Sequence, residues 1–173
     1  MKEKISVLIS EEEIERRVCE IAKQISEDYA KKEVVLICVL KGSIFYTCDL
    51  AKRLTIPVTL DFMKVSSYGS GTVSNGAIEI QKDLEESIEG QDVIIVEDII
   101  DSGNTLNHLV SMLKRRNPAS LRITTLLDKP SRREVEVPVD YVGFEIEDKF
   151  VVGYGLDYDQ SYRDLPYIGE LHL

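Results

Sequence analysis

The sequence predicts an α/β fold, an open and mostly parallel twisted sheet flanked by helices. Short, almost wholly apolar runs rich in β-branched residues, VVLICVL at 34–40 and VIIV at 93–96, suit strands covered on both faces. Segments of helical period alternate with them, as crossovers between parallel strands require. Glycine-containing turns, KGS at 41–43 and DSGN at 101–104, follow two of the strands directly, where open α/β sheets bind ligands.

The elements follow in order. After Ser10 the segment EEEIERRVCEIAKQI places Ile14, Val18, Ile21 and Ile25 on one helical stripe, and Ser10 with Glu13 forms a capping-box pattern that marks the start. The strand at 34–40 is followed by a helix from Ser43 to about Leu54 and by a strand over 57–65, PVTLDFMKV. Residues 66–77, SSYGSGTVSNGA, hold three glycines and no apolar period, which predicts a long mobile loop of the kind that forms active-site lids. IEIQKDL at 78–84 and a turn lead into the buried strand at 93–96, and Leu106, Leu109, Val110 and Leu113 form the apolar face of a helix ending near Asn117-Pro118. Further strands are expected at 120–128, 139–146 and 150–156. With no repeat or linker, residues 1–173 read as one domain.

Composition narrows the function. At 43% hydrophobic and 30% charged residues the chain is globular rather than disordered or fibrous. No apolar run approaches the roughly 18 residues of a membrane-spanning helix, and MKEKISVLIS lacks the core of a signal peptide, so a cytoplasmic protein is expected. Cys19, Cys38 and Cys48 form no CxxC pair, and His108 and His172 stand apart, so neither a disulfide framework nor a transition-metal site is indicated. A net charge of −10 opposes nucleic-acid binding through a long-range positive field, so any anionic ligand must be held locally.

One segment combines the groups that would do this. Ser102, Gly103 and Thr105 offer hydroxyls and close backbone approach at a helix N-terminus, a combination that cradles phosphate. The adjacent acids Glu97 and Asp98 are poor neighbours for a phosphate unless they bind sugar hydroxyls or share a cation such as Mg²⁺ with it. A sugar phosphate with magnesium satisfies every group; taken alone, the same residues also fit a solvated strand end and an ordinary helix cap.

VIIVEDIIDSGNTL resembles the phosphoribosyl-pyrophosphate-binding signature of type I phosphoribosyltransferases. Taken with LKGS at 40–43, SSYGS at 66–70, LLDKP at 126–130 and DKFVVGYGLDYDQSYRDLP at 148–166, it is similar to the hypoxanthine-guanine phosphoribosyltransferase family. The resemblance covers roughly residues 34–170 in the family's motif order. It implies a small hood beside the main sheet, a flexible active-site loop and a purine-salvage reaction. In that reaction 5-phosphoribose passes from phosphoribosyl pyrophosphate to N9 of hypoxanthine or guanine, with Mg²⁺, giving inosine or guanosine monophosphate and pyrophosphate. Family members are usually dimers or tetramers, and no nucleic-acid or membrane partner is implied.

Residue by residue, the resemblance makes Asp101 the general base at purine N7, an assignment that suits a carboxylate ionised at neutral pH. It places the ribose and 5′-phosphate on Glu97, Asp98, Asp101, Ser102, Gly103, Asn104 and Thr105. Lys41, Gly42 and Arg163 would bind pyrophosphate, and the resemblance leaves open whether the Leu40–Lys41 peptide is cis. Lys129 would donate to the purine O6, Phe150 would stack on the ring, and Val151 and Asp157 would meet its exocyclic edge. Magnesium would be held by Glu97, Asp98 and Asp157, largely through water. Ser67 and Tyr68 would belong to the closing loop. One position departs: mammalian members carry lysine where this chain has Asn104, so phosphate binding here rests more on backbone amides and hydroxyls. The competing readings are a nucleic-acid-binding regulator that keeps the same fold to sense phosphoribosyl pyrophosphate or nucleotide, and a transferase for another base.

Overall fold

The computed structural model describes residues 4–67 and 78–172. The chain runs through β1 (Lys4–Ile9), α1 (Glu11–Asp28), β2 (Val34–Val39), α2 (Ile44–Arg53), β3 (Val58–Ser67), β4 (Ile78–Lys82), β5 (Asp92–Ile100), α3 (Asn104–Lys114), β6 (Ser120–Asp128), β7 (Tyr141–Glu145), β8 (Val151–Val152) and β9 (Ile168–His172). Six strands form the main sheet in the order β4-β3-β2-β5-β6-β7. All neighbours pair in parallel except β4, which runs antiparallel to β3. No described helix is long and apolar enough to cross a membrane.

The apolar runs read from the sequence are the central strands. Successive residues of β5 face opposite sides: Ile94 and Val96 join a core with Ile14, Val18, Ile21 and Ile25 of α1 and Leu50 of α2, whereas Val93 and Ile95 pack with Leu106, Leu109 and Leu113 of α3. Both faces of the sheet are therefore covered, which is why these strands show no polar alternation. The Ser10–Glu13 capping box is formed in both directions at the start of α1.

Three expectations need correction. Ser66 and Ser67 are not loop but the end of β3, where they pair with Glu79 and Ile78; the rest of that segment, Tyr68 included, lies outside the described residues. The β5 strand does not stop at Val96 but continues through Glu97 and Asp98 to Ile100, its register on β6 holding to Asp128. Residues 150–156 do not add a strand to the main sheet. Only Val151 and Val152 are extended, and they pair with β9, which pairs in turn with β1. This separate three-stranded sheet, tying the two ends of the chain together, forms the expected small hood.

Chain direction sets the position of the site. From β2 the chain passes through α2 to β3 on one side, and from β5 through α3 to β6 on the other. The order reverses between β2 and β5. The loops leaving the carboxyl ends of these two neighbouring strands diverge there and open a crevice.

Candidate active site

The loop leaving β5 carries Asp101, Ser102 and Gly103 into α3. Gly103 caps the helix with φ of +85°, and a β-carbon there would fall 2.7 Å from the Val135 carbonyl oxygen, so a side chain is excluded on both counts. Ser102 fixes the turn: its hydroxyl accepts the Asn104 N–H at 3.3 Å, and its carbonyl accepts the N–H groups of Glu134 and Val135 at 2.9 and 3.2 Å. Thr105 Oγ1 lies 3.1 Å from Ser67 Oγ, linking the start of α3 to the end of β3. The Asn104 amide donates to Glu134 Oε2 at 2.7 Å. Glu97, Asp101, Ser102, Gly103 and Thr105 line a common cleft of about 240 Å³ with Val39 and Val65.

Glu97 and Asp98 sit on β5, partly buried. Burial and the neighbouring Asp98 charge push the Glu97 carboxyl well above the usual range. Burial likewise raises Asp98 to about 6, against hydrogen bonding from the Ile99 N–H and attraction by Arg163. Two adjacent carboxyls held high form a pair short of positive charge. Such hard oxygen donors beside a phosphate cradle fit a hydrated Mg²⁺.

The loop leaving β2 carries Lys41 and the buried Gly42, and the Leu40–Lys41 peptide is cis. Gly42 packs directly against the Asp98 carboxylate. From the far end of the chain, Arg163 donates to the Gly155 carbonyl at 2.7 Å and pairs with Asp157 Oδ1 at 3.1 Å. Gln160, which sequence reasoning passed over, joins the two cations: its Oε1 accepts from Lys41 Nζ at 3.1 Å and from Arg163 Nη2 at 3.3 Å. The Gln160 N–H in turn donates to Asp157 Oδ2 at 2.9 Å.

At the end of β6, Lys129 is buried, its side chain only 10% exposed, with Nζ 3.7 Å from Asp101 Oδ1 and 3.6 Å from Asp148 Oδ1. Next to it Asp128 pairs with Arg133, whose Nε donates to the Asp101 carbonyl at 3.2 Å. Phe150 is not a core residue: it is 47% exposed and meets Tyr158 edge-on at 5.7 Å between centroids. Val151 is buried and paired with Glu170.

The predicted residues thus fall into four groups in contact with one another: the phosphate cradle, the acidic pair, the Lys41–Arg163 cluster and the Lys129 cluster. Asp101 belongs to the phosphate cradle and to the Lys129 cluster. Asp98 belongs to the acidic pair and touches the Lys41–Gly42 loop. Asp148, Arg133 and Gln160 complete these groups; Asp148 and Gln160 lie inside the 148–166 motif, which assigns them no role, Arg133 lies outside every motif, and the fold brings all three to the site. A larger groove of about 360 Å³, between α1, α2 and the 154–166 segment, contains none of the predicted residues.

Residues 8–159 match the family model described as the phosphoribosyl transferase domain. The hypoxanthine phosphoribosyltransferase of Salmonella typhimurium is 53% identical over 100% of this chain and 98% of its own, and that of Escherichia coli is 52% identical over the same shares. Among solved structures, a hypoxanthine-guanine phosphoribosyltransferase from Bacillus anthracis superposes with a TM-score of 0.93 at 46% identity, covering 96% of this chain and 99% of that one. These relatives are named as enzymes, and the regulator alternative finds no support in them. With a family model over most of its length and a relative more than half identical from end to end, the chain belongs to the hypoxanthine phosphoribosyltransferase family.

Proposed function

We propose that the protein transfers the 5-phosphoribosyl group of phosphoribosyl pyrophosphate to N9 of hypoxanthine, with guanine as a second 6-oxopurine. The observation that carries this reading is the placement of a buried ammonium, Lys129, 3.7 Å from the exposed carboxylate of Asp101, at the lip of a phosphate cradle. A purine spanning the two would accept a hydrogen bond at O6 from Lys129 and lose its N7 proton to Asp101 as N9 attacks the ribose C1′. An amino purine cannot accept that bond, which supplies the selection against adenine. Phe150, exposed in the absence of a base, offers a ring to stack on.

The C1′ to pyrophosphate bond breaks as the C1′ to N9 bond forms, and the ribose acquires oxocarbenium character. The carboxylates of Glu97 and Asp98 accept hydrogen bonds from the ribose hydroxyls and stabilise that positive charge. The α3 N-terminus with Ser102 and Thr105 holds the 5′-phosphate. Lys41, the Gly42 backbone and Arg163 take up the departing pyrophosphate, the guanidinium by forked contact. Glu97, Asp98 and Asp157 would hold Mg²⁺ mainly through water, and the ion would supply positive charge beside the leaving group. Among the described residues no three carboxylate, imidazole or thiol groups converge as a direct cage. Assembly into dimers or tetramers belongs to the same proposal.

The test is an assay of the protein with magnesium, phosphoribosyl pyrophosphate and each base in turn. Nucleotide forms with hypoxanthine and guanine and not with adenine. No product with any 6-oxopurine overturns the proposal, and salt-dependent RNA binding without turnover would replace it with the regulator reading.

A further inference from the structure

We infer that Asp148 is a positioning residue for Lys129, holding its ammonium in the purine subsite while Asp101 changes charge. The inference rests on the reading of Lys129 and Asp101 proposed above. An ammonium with a side chain only 10% exposed must have its lost hydration replaced by fixed negative charge. Two carboxylates do so, Asp101 at 3.7 Å and Asp148 at 3.6 Å. Both distances define ion pairs but exceed the length of a good N–H···O bond. The ammonium is therefore closed onto neither partner and retains donors for a third.

Each of the two carboxylates has a different fate in the reaction. Asp101 receives the purine proton as the new bond forms and ceases to balance Lys129 at that moment. Asp148 lies on the turn before Phe150 and has no proton to accept, so its charge persists through the step. Its other oxygen is 3.4 Å from Arg132 Nη1. Before the reaction Asp148 has a second effect. With Asp101 as sole partner, the ammonium would shorten to a direct hydrogen-bonded pair, tying up the base and the O6 donor together. A counter-charge at nearly equal distance holds Lys129 between the two.

The alternative role for Asp148 is a surface pair with Arg132 that merely fastens two turns, and the experiment separates them. Full-length Asp148→Asn, Asp148→Glu, Arg132→Ala, Lys129→Ala and the Asp148→Asn/Lys129→Ala double variant are compared by steady-state kinetics and thermal melting. Asp148→Asn raises KM for hypoxanthine by about tenfold, because the half-exposed carboxylate is a charged partner of a buried ammonium. KM for phosphoribosyl pyrophosphate stays within about twofold, because its contacts lie elsewhere. Asp148→Glu regains most of the loss, Arg132→Ala behaves as the parent, and the double variant is no worse than Lys129→Ala alone. The inference is overturned if Lys129→Ala weakens hypoxanthine and Asp148→Asn, or Asp148→Ser should the asparagine variant not fold, does not. It is equally overturned if Arg132→Ala reproduces the Asp148 effect. If Lys129→Ala leaves hypoxanthine KM unchanged, the assignment of Lys129 itself fails and the inference with it.

Discussion

A β-carbon placed on Gly42 would fall 1.6 Å from Asp98 Oδ2 and 2.6 Å from its carboxyl carbon. The loop after β2 and the acidic end of β5 are thus in contact through the one residue whose lack of a side chain permits it. Gly42→Ala cannot be accommodated without moving the carboxylate or the loop. Misplacement of about 1 Å at a reacting centre costs on the order of 10²-fold in rate. Gly42→Ala is expected to lower kcat/KM for phosphoribosyl pyrophosphate by about that factor while circular dichroism stays that of the parent. A variant with parental kinetics would show that the contact has no bearing on catalysis.

The raised Asp98 carboxyl predicts a trade between stability and function. Its folded value, about 6, lies above the usual carboxylate value of 3.8, so the folded state holds a proton more tightly than the unfolded chain. Between these values the unfolded chain releases its proton first, and stability falls as pH rises through that window. At pH 8 the ionised side chain is a cost of about 1–3 kcal/mol, taking 1.36 kcal/mol per pH unit and allowing for shared solvent. Asp98→Asn is therefore expected to melt higher than the parent at pH 8, with the gain vanishing near pH 4, and to bind phosphoribosyl pyrophosphate more weakly. Melting curves at the two pH values decide the point: an equal or lower Tm at pH 8 would mean that the carboxylate is not under burial stress.

Asp101 is half-exposed, next to Lys129 on one side and the cradle residues on the other. Asp101→Asn keeps the shape and removes the proton acceptor. Turnover with hypoxanthine is expected to fall by about 10²-fold, the lower end of what a positioned base contributes. Binding of phosphoribosyl pyrophosphate, followed by calorimetry, should change little. Unchanged turnover would remove Asp101 from the proton transfer.

The central strands and helices were legible because each carries its own local signal: a capping box at Ser10, unbroken apolar runs at β2 and β5, a helical stripe in α1. The terminal sheet was not. The strand β1 is mostly exposed, β8 is two residues long, and the Lys4–His172 pairing joins opposite ends of the chain, so no window of sequence contains it. The site divides in the same way. Glu97, Asp98 and the Asp101–Thr105 loop are contiguous and chemically odd enough to be noticed. Arg163 could equally have paired with Asp164 or Asp159, and that it pairs with Asp157 follows from a tight turn whose residues Asp159 and Gln160 adopt positive φ. Asp148 and Gln160 lie in the 148–166 motif, but their partners Lys129 and Lys41 are 19 and 119 residues away, so only the fold shows which cations they hold.

Gln160 yields the last prediction. Its Oε1 lies between Lys41 Nζ and Arg163 Nη2, at 3.1 and 3.3 Å. Both partners can only donate, so the side-chain carbonyl, not the amide nitrogen, must face them. A neutral oxygen there keeps two like charges together in the absence of anion and yields easily to a pyrophosphate oxygen. A carboxylate in its place would hold the same cations as ion pairs and would repel the incoming anion. Gln160→Glu is expected to raise KM for phosphoribosyl pyrophosphate by about three- to tenfold, within the range of exposed charge networks, with KM for hypoxanthine unchanged. The increase should shrink at high salt, since the competing ion pairs are solvent-screened. Gln160→Ala removes the bridge without adding a charge and should alter KM by less than about threefold. A Gln160→Glu variant that binds phosphoribosyl pyrophosphate as well as the parent would show that Lys41 and Arg163 do not receive the anion at this point.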